Sequence, residues 1–117
     1  MELSELENWP LEDLLYRLPD YFNPEEAEGV DLSVQFHLTG KESGSWCMRI
    51  ADSRCRVEKG GCMNADVALS ADSENVRRIL RGEVNPLQIL LRGLVQVEGD
   101  RSAALELGKY FTRVEFH

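Results

Sequence analysis

Basic residues are scarce in this chain. Thirteen lysines and arginines stand against twenty-one aspartates and glutamates, a formal charge of −8. That balance excludes the broad cationic face with which proteins neutralise phosphates, so nucleic acid is not expected as a partner. It also argues against simple electrostatic docking on anionic membranes. Arg77, Arg78, Arg81 and Arg92 are the nearest approach to a basic patch, and they read first as cations near helix C-termini. Histidine is scarcer still: His37 and His117 are the only two, and neither has a second ligand at metal spacing, so no metal is expected. Cysteine is limited to Cys47, Cys55 and Cys62. The number is odd and no Cys-x-x-Cys occurs, which is neither a disulfide framework nor a zinc set. Reduced thiols in a cytoplasmic protein are the expectation, with Cys62, after Gly60-Gly61, an inert loop thiol. No apolar run approaches the ~20 residues of a membrane span. The N-terminus lacks the pattern of a signal peptide, and the chain ends Val-Glu-Phe-His rather than in a Ser-Lys-Leu-type address. Stable membrane insertion is therefore not expected.

Catalytic arrangements are missing as well. Asp13, Asp20, Asp31, Asp52, Asp66 and Asp72 are scattered and suit caps and turns. No serine sits in a Gly-x-Ser-x-Gly elbow. No catalytic residue and no cofactor is assigned, and a stand-alone enzyme is not expected.

What is present is an ordinary globular composition, 43% hydrophobic and 29% charged over 117 residues, enough for one domain with a real core. The domain is read as 1–117, with 1–29 an N-terminal helical segment. Leu11, Leu14, Leu15 and Leu18 form one helical stripe between Pro10 and Pro19. Asn23-Pro24-Glu25-Glu26 looks like a second helix start, closed by Gly29. From Val30 the period becomes two: Val30, Leu32, Val34, Phe36 and Leu38 alternate with polar residues. Trp46, Met48 and Ile50 mark a second strand, Cys55 and Val57 a third, and Ala65, Val67 and Leu69 a fourth. Short turns between them predict an antiparallel meander. Asp72 then caps a helix carrying Val76, Ile79 and Leu80, with Gly82 as its stop. Asn85 caps the next helix and Pro86 opens it, and Gly93 ends it. Val95 and Val97 make a fifth strand. Gly99-Asp100 turns into a last helix from Ala103 to Phe111. The fold class is α+β: a five-stranded, mostly antiparallel sheet with helices covering one face.

The helix from Leu87 to Arg92 is polar only at Gln88 and Arg92. A helix apolar on most sides needs apolar company on most sides, which means either dense core or a cavity holding a lipid.

The order of these elements resembles the sterol carrier protein 2 family over roughly Val30 to Phe111. The resemblance rests on the strand Val34 to Leu38 followed by Gly44 and Trp46, and on Ala65-Asp66 leading to Ala71-Asp72. Its densest part is Gly82, Asn85, Pro86, Gly93, Gly99 and Asp100, without gaps. The resemblance implies an apolar tunnel between sheet and helices, and a lipid-like cargo such as a fatty acid, acyl-CoA, phospholipid, sterol or isoprenoid. It also implies a domain with no catalytic residues. Leu-Gln-Ile-Leu-Leu stands where members often carry aromatics, and the short N-terminal helical region is split by Pro19 and Pro24. A site of this kind is a lining that works by burying surface. Phe36, Ile79, Leu80, Leu87, Leu90, Leu91, Leu94 and Leu105 are the candidates, with Gln88 as a polar contact for a head group. Two roles follow, a free carrier or an accessory domain that presents an apolar substrate to an enzyme partner. A homodimer stays open at this stage.

Overall fold

The computed structural model describes residues 9–80 and 83–111. The leucine stripe folds as α1 (Leu11–Tyr16), whose Leu11, Leu14 and Leu15 are buried, and a 3-10 turn Leu18–Tyr21 follows in which Pro19 takes an early position. The expected helix after Asn23 is instead a chain of turns over 24–29. Bonds from Ala27 N–H to Pro24 C=O and from Val30 N–H to Ala27 C=O carry it. These close tight turns that bury Ala27 and do not propagate, as befits a segment too short to nucleate a helix.

Five strands follow: β1 (Leu32–Thr39), β2 (Gly44–Ala51), β3 (Arg54–Lys59), β4 (Val67–Asp72) and β5 (Val95–Gly99). The sheet order is β3-β2-β1-β4-β5. Neighbours are antiparallel except β1 and β4, which run parallel in the register Val34↔Val67. The expected meander is thus corrected at one step. The stretch Gly60 to Asp66 crosses to the far side of β1 instead of hairpinning beside β3. Ser33 N–H donates to an Asp66 carboxylate oxygen at 2.8 Å, and Asp66 N–H returns to Ser33 C=O at 2.9 Å.

Strand parity then sets two faces. Leu32, Val34, Met48, Ile50 and Val67 are buried on the inner face, where Ala27 and Tyr110 close over them. A second cluster joins α1 to Leu38, Trp46 and Leu80. On the outer face Gln35 is buried under the β3–β4 connection. Its Nε2 donates to the carbonyls of Trp46 and Gly60, and its Oε1 accepts from Cys62 N–H. Cys62 lies beside Cys47 and the two are disulfide-bonded, while Cys55 is free. This corrects the reduced-thiol expectation. The odd count hides a pair because the register, not the spacing, brings the two together: Cys47 is directly opposite Gln35. Disulfides persist in oxidising compartments, so the cysteines no longer argue for a cytoplasmic setting. Closing a loop of this length, with partners 15 residues apart, is worth about 3 kcal/mol. Cys47→Ser should lose about that much, read from denaturant midpoints without reductant. Alkylation of the unfolded, non-reduced parent should label Cys55 alone.

The helical half comprises α2 (Ser73–Leu80), α3 (Pro86–Leu91), α4 (Arg101–Glu106) and a 3-10 turn Leu107–Tyr110. Asp72 accepts from Glu74 N–H at 2.8 Å, the expected cap, and Asp100, read only as part of a turn, caps the last helix by accepting from Ala103 N–H at 3.0 Å. The proposed stop at Gly82 lies outside the described residues. The last helix tightens after Glu106 and reaches Phe111 only as a bridge to Phe22. Gly99 has φ +95, and a Cβ there would overlap the Asp66 carbonyl oxygen, which already accepts from Asp100 N–H. Gly99→Ala should therefore destabilise the fold by more than about 1 kcal/mol, with thermal melting as the readout.

Candidate functional site

An apolar cavity of about 470 Å³ lies between the inner face at β4–β5 and the helices. Leu69, Val95 and Val97 form its floor, all on the inner phase of paired strands. Ile79 of α2, Asn85 before α3 and Leu90 of α3 bound it on one side. Ala104, Leu105, Leu107 and Gly108 bound it on the other. Asn85 and Leu105 line it and are also exposed, so the cavity reaches the surface there.

The candidates from the sequence separate into three groups. Ile79, Leu90 and Leu105 are together on the cavity wall. Leu80 is buried in the α1–Trp46 cluster, and Phe36 packs against both clusters beneath the sheet's middle. Leu91, Leu94 and Gln88 are exposed, with Leu91 at 78% and Leu94 at 42%. The side chain of Leu87 lies outside the described residues. The reason for the scatter is helix length. A six-residue α3 turns only one wall to the protein, and Ile89 takes the inward position at 3% exposure. Leu90 borders the cavity and Leu91 points away from it. The expectation that this helix needs apolar company on most sides is corrected accordingly. Leu80 diverges from its neighbour Ile79 because successive helical residues lie about 100° apart.

Leu69, Val95, Val97, Ala104 and Leu107 were missed. The signal for the first three was available: once β4 and β5 alternate, their apolar phase must face the helices. Asn85, read only as a cap, is the cavity's one polar side chain among those described.

A larger depression of about 750 Å³ lies at the β2–β3 end, lined by Arg49, Ala51, Asp52, Arg54, Cys55 and Arg56. Three guanidinium groups and a carboxylate suit no apolar cargo, so the smaller cavity is the candidate site. Arg49 there is engaged by Asp31 at 2.8 Å and by Ser33. Cys55 is chemically quiet, since burial pushes its thiol up to about 12. The arginines named as the nearest approach to a basic patch separate. Arg77 is buried against Glu42, Arg78 faces Glu83 at 3.6 Å, and Arg81 lies outside the described residues. Among the described residues no three His, Cys, Asp or Glu side chains gather as a metal site, and no helix is long and apolar enough to cross a membrane.

A five-stranded sheet with helices on one face and an apolar, surface-reaching cavity between them defines a small lipid-binding type of domain. The family model described as the SCP-2 sterol transfer family matches residues 11–112. The chain belongs to that family of lipid-binding and lipid-transfer domains. It is 30% identical over 101 residues to Hydroxysteroid dehydrogenase-like protein 2 of Xenopus laevis, covering 86% of this chain and 24% of that protein. It thus spans about a quarter of the length of the curated relatives it matches. The fold is shared with palmitated SCP2L2 from Aedes aegypti, at a TM-score of 0.69 and 16% identity, covering 100% of both chains. It is also shared with part of the stereoselective inverting sec-alkylsulfatase Pisa1 from Pseudomonas sp., at a TM-score of 0.71 and 16% identity. That match covers 91% of this chain and 16% of the sulfatase.

Proposed function

We propose that this chain is a non-catalytic lipid-binding module that encloses one apolar chain and shields it from water. The observation that carries the reading is the apolar cavity of about 470 Å³ under α3 and α4. A methylene fills about the space of a water molecule, roughly 30 Å³, so the cavity suits a single acyl or isoprenoid chain of roughly fifteen carbons. A rigid, branched molecule of similar volume would need the walls to shift. Burying apolar surface at about 25 cal/mol per Å² supplies the affinity. Asn85, at the exposed edge of the lining, is the group placed to orient a polar head. Palmitate in the Aedes aegypti relative supports the choice of a straight chain.

A second reading is an accessory domain that presents such a chain to an enzyme partner. It is favoured by the small share of the dehydrogenase-like relative and of the sulfatase that this chain covers. Native mass spectrometry of the purified protein separates the two. A free carrier should arrive with one lipid and no protein partner; an accessory domain should arrive with its enzyme. Arrival of neither, together with no uptake of a fluorescent fatty acid, would remove the binding reading altogether.

A further inference from the structure

The sheet ends in two edge strands, and they are built differently. β3 carries Arg54, Arg56, Glu58 and Lys59, so charge dominates its length. Charged side chains along an edge oppose pairing with another chain. β5 reads Val-Gln-Val-Glu-Gly, and Glu98 is its only charge.

The backbone of β5 has an open side. Asp100 N–H donates to Asp66 C=O at 3.0 Å, and these two residues stand opposite each other, one step beyond the pair Val67↔Gly99. Opposed residues in an antiparallel ladder alternate between pairs that exchange hydrogen bonds and pairs that do not. Counting back from Asp100, Glu98 and Gln96 bond to β4. Val95, Val97 and Gly99 turn their N–H and C=O groups away from it. The close approach at Gly99 agrees, because a Cβ there would lie 3.2 Å from the Val67 Cα, and non-bonded pairs have the nearer Cα atoms. Among the described residues no backbone hydrogen bond reaches these outward groups.

The open side is complementary to itself. A second β5, antiparallel about a two-fold axis through Val97, sets Val97 against Val97 and Val95 against Gly99. Those are the residues whose groups point outward, so each finds a partner. Gln96 of each copy then faces Glu98 of the other, an amide beside a carboxylate. Sliding the copies one way leaves Gly99 beyond the end of the other strand. Sliding them the other way sets Glu98 against Glu98, a like-charge pair.

We propose that β5 pairs with β5 of a second copy of this chain, antiparallel about Val97, and joins the two sheets into one. Opposed residues of such a pair point to the same face, so the inner faces of both copies lie on one side of the joined sheet. Val95 and Val97 are also cavity floor, which sets the two cavities side by side on that face. The pairing uses the edge of β5 and its outer-face side chains, and it does not depend on the cavity holding a lipid.

Amide hydrogen exchange read by NMR over a protein concentration series tests it. The Val95, Val97 and Gly99 amides should exchange fast in dilute protein and slow at least about tenfold as the concentration approaches roughly 1 mM. Sedimentation equilibrium over the same range should show monomer giving way to dimer. Gln96→Glu creates two like-charge pairs across the axis and should weaken the dimer about fivefold. Gln96→Lys creates two opposite-charge pairs and should tighten it by about as much. Both effects should shrink at high salt. Gln96 is exposed and is not among the residues lining the cavity. Fatty-acid uptake and melting temperature in dilute protein should therefore match the parent, which reports that the variants are folded. A parent that is monomeric at roughly 1 mM overturns the proposal. So does a dimer that ignores both Gln96 changes or leaves the three amides unprotected, since another surface then holds it. Protection of the same amides in the dilute monomer also overturns it, because the edge is then covered within the chain.

Discussion

Arg77→Ala is expected to cost about 2–3 kcal/mol of folding stability, less than the ~3–5 kcal/mol for breaking a fully buried ion pair, because the carboxylate left behind on Glu42 is 33% exposed and partly screened. The side chain of Arg77 is only 8% exposed and bridges three parts of the fold. Its Nη2 donates to both carboxylate oxygens of Glu42 at 2.7 Å and to the Trp9 carbonyl at 2.8 Å. Glu42, in the β1–β2 turn, also accepts from Leu11 N–H at 2.7 Å, so one carboxylate caps α1 and holds α2. Its own N–H donates to the hydroxyl of buried Ser73, at the start of α2. Truncating the arginine strands a partly buried carboxylate and a carbonyl. Glu42→Gln should cost less than Arg77→Ala because the amide oxygen can still accept from Leu11. A double change to Glu42→Gln/Arg77→Met should recover part of the loss, since it removes the uncompensated charge. Urea midpoints of the four proteins check the ordering. A near-zero effect of Arg77→Ala would mean that α1 and α2 are not joined through this node.

The same node predicts an acid limit. Burial pushes the Glu42 carboxyl up, but hydrogen bonds from Arg77 and from Leu11 N–H outweigh it and hold the group below its ordinary value of 4.5. A carboxylate whose folded pKa is lowered stabilises the fold above the unfolded value and stops doing so as pH falls through the folded one. Stability should therefore decline from near pH 4.5 downward, and Glu42→Gln should flatten that part of the profile. Because Glu42 is 33% exposed, solvent screening keeps this contribution modest.

Most of the architecture is legible in the sequence, for identifiable reasons. Val34, Phe36 and Leu38 alternate cleanly, as do Trp46, Met48 and Ile50, and period two admits few alternatives over that length. Asp72 is readable as a cap because a short carboxylate before a helical stripe has an obvious backbone donor to meet. What could not be read were facts of register. The parallel pairing of β1 with β4 depends on where the Gly60–Asp66 connection travels, and nothing local encodes that path. The Cys47–Cys62 bond depends on the same path. The cavity was legible as a property of the region, from Gly82 to Asp100 and the helix after it, but not side chain by side chain. Leu90 and Leu91 have identical chemistry and adjacent numbers. Only the rotation of α3 about its axis, fixed by buried Ile89, sends one to the cavity and the other to the surface.

That difference between neighbours is the sharpest test of the site. Leu90→Trp should place an indole in space that is now empty or filled by cargo. In a close-packed core the same change would overpack and cost about 1–3 kcal/mol. Beside a cavity of about 470 Å³ it should cost less than about 1 kcal/mol. It should also weaken uptake of a fluorescent fatty acid by at least about tenfold, a loss of about 1.4 kcal/mol in binding. Leu91→Trp is the matched control. At 78% exposure the new ring has no wall to displace, so uptake in vesicle-free buffer should match the parent. Titration of the probe, with melting curves of all three proteins, gives both axes. If Leu90→Trp unfolds the protein, the wall is packed core and the cavity does not hold a chain. If the two variants bind alike, the cargo does not lie along Leu90, and the side of the cavity lined by Leu105 and Leu107 becomes the place to probe next.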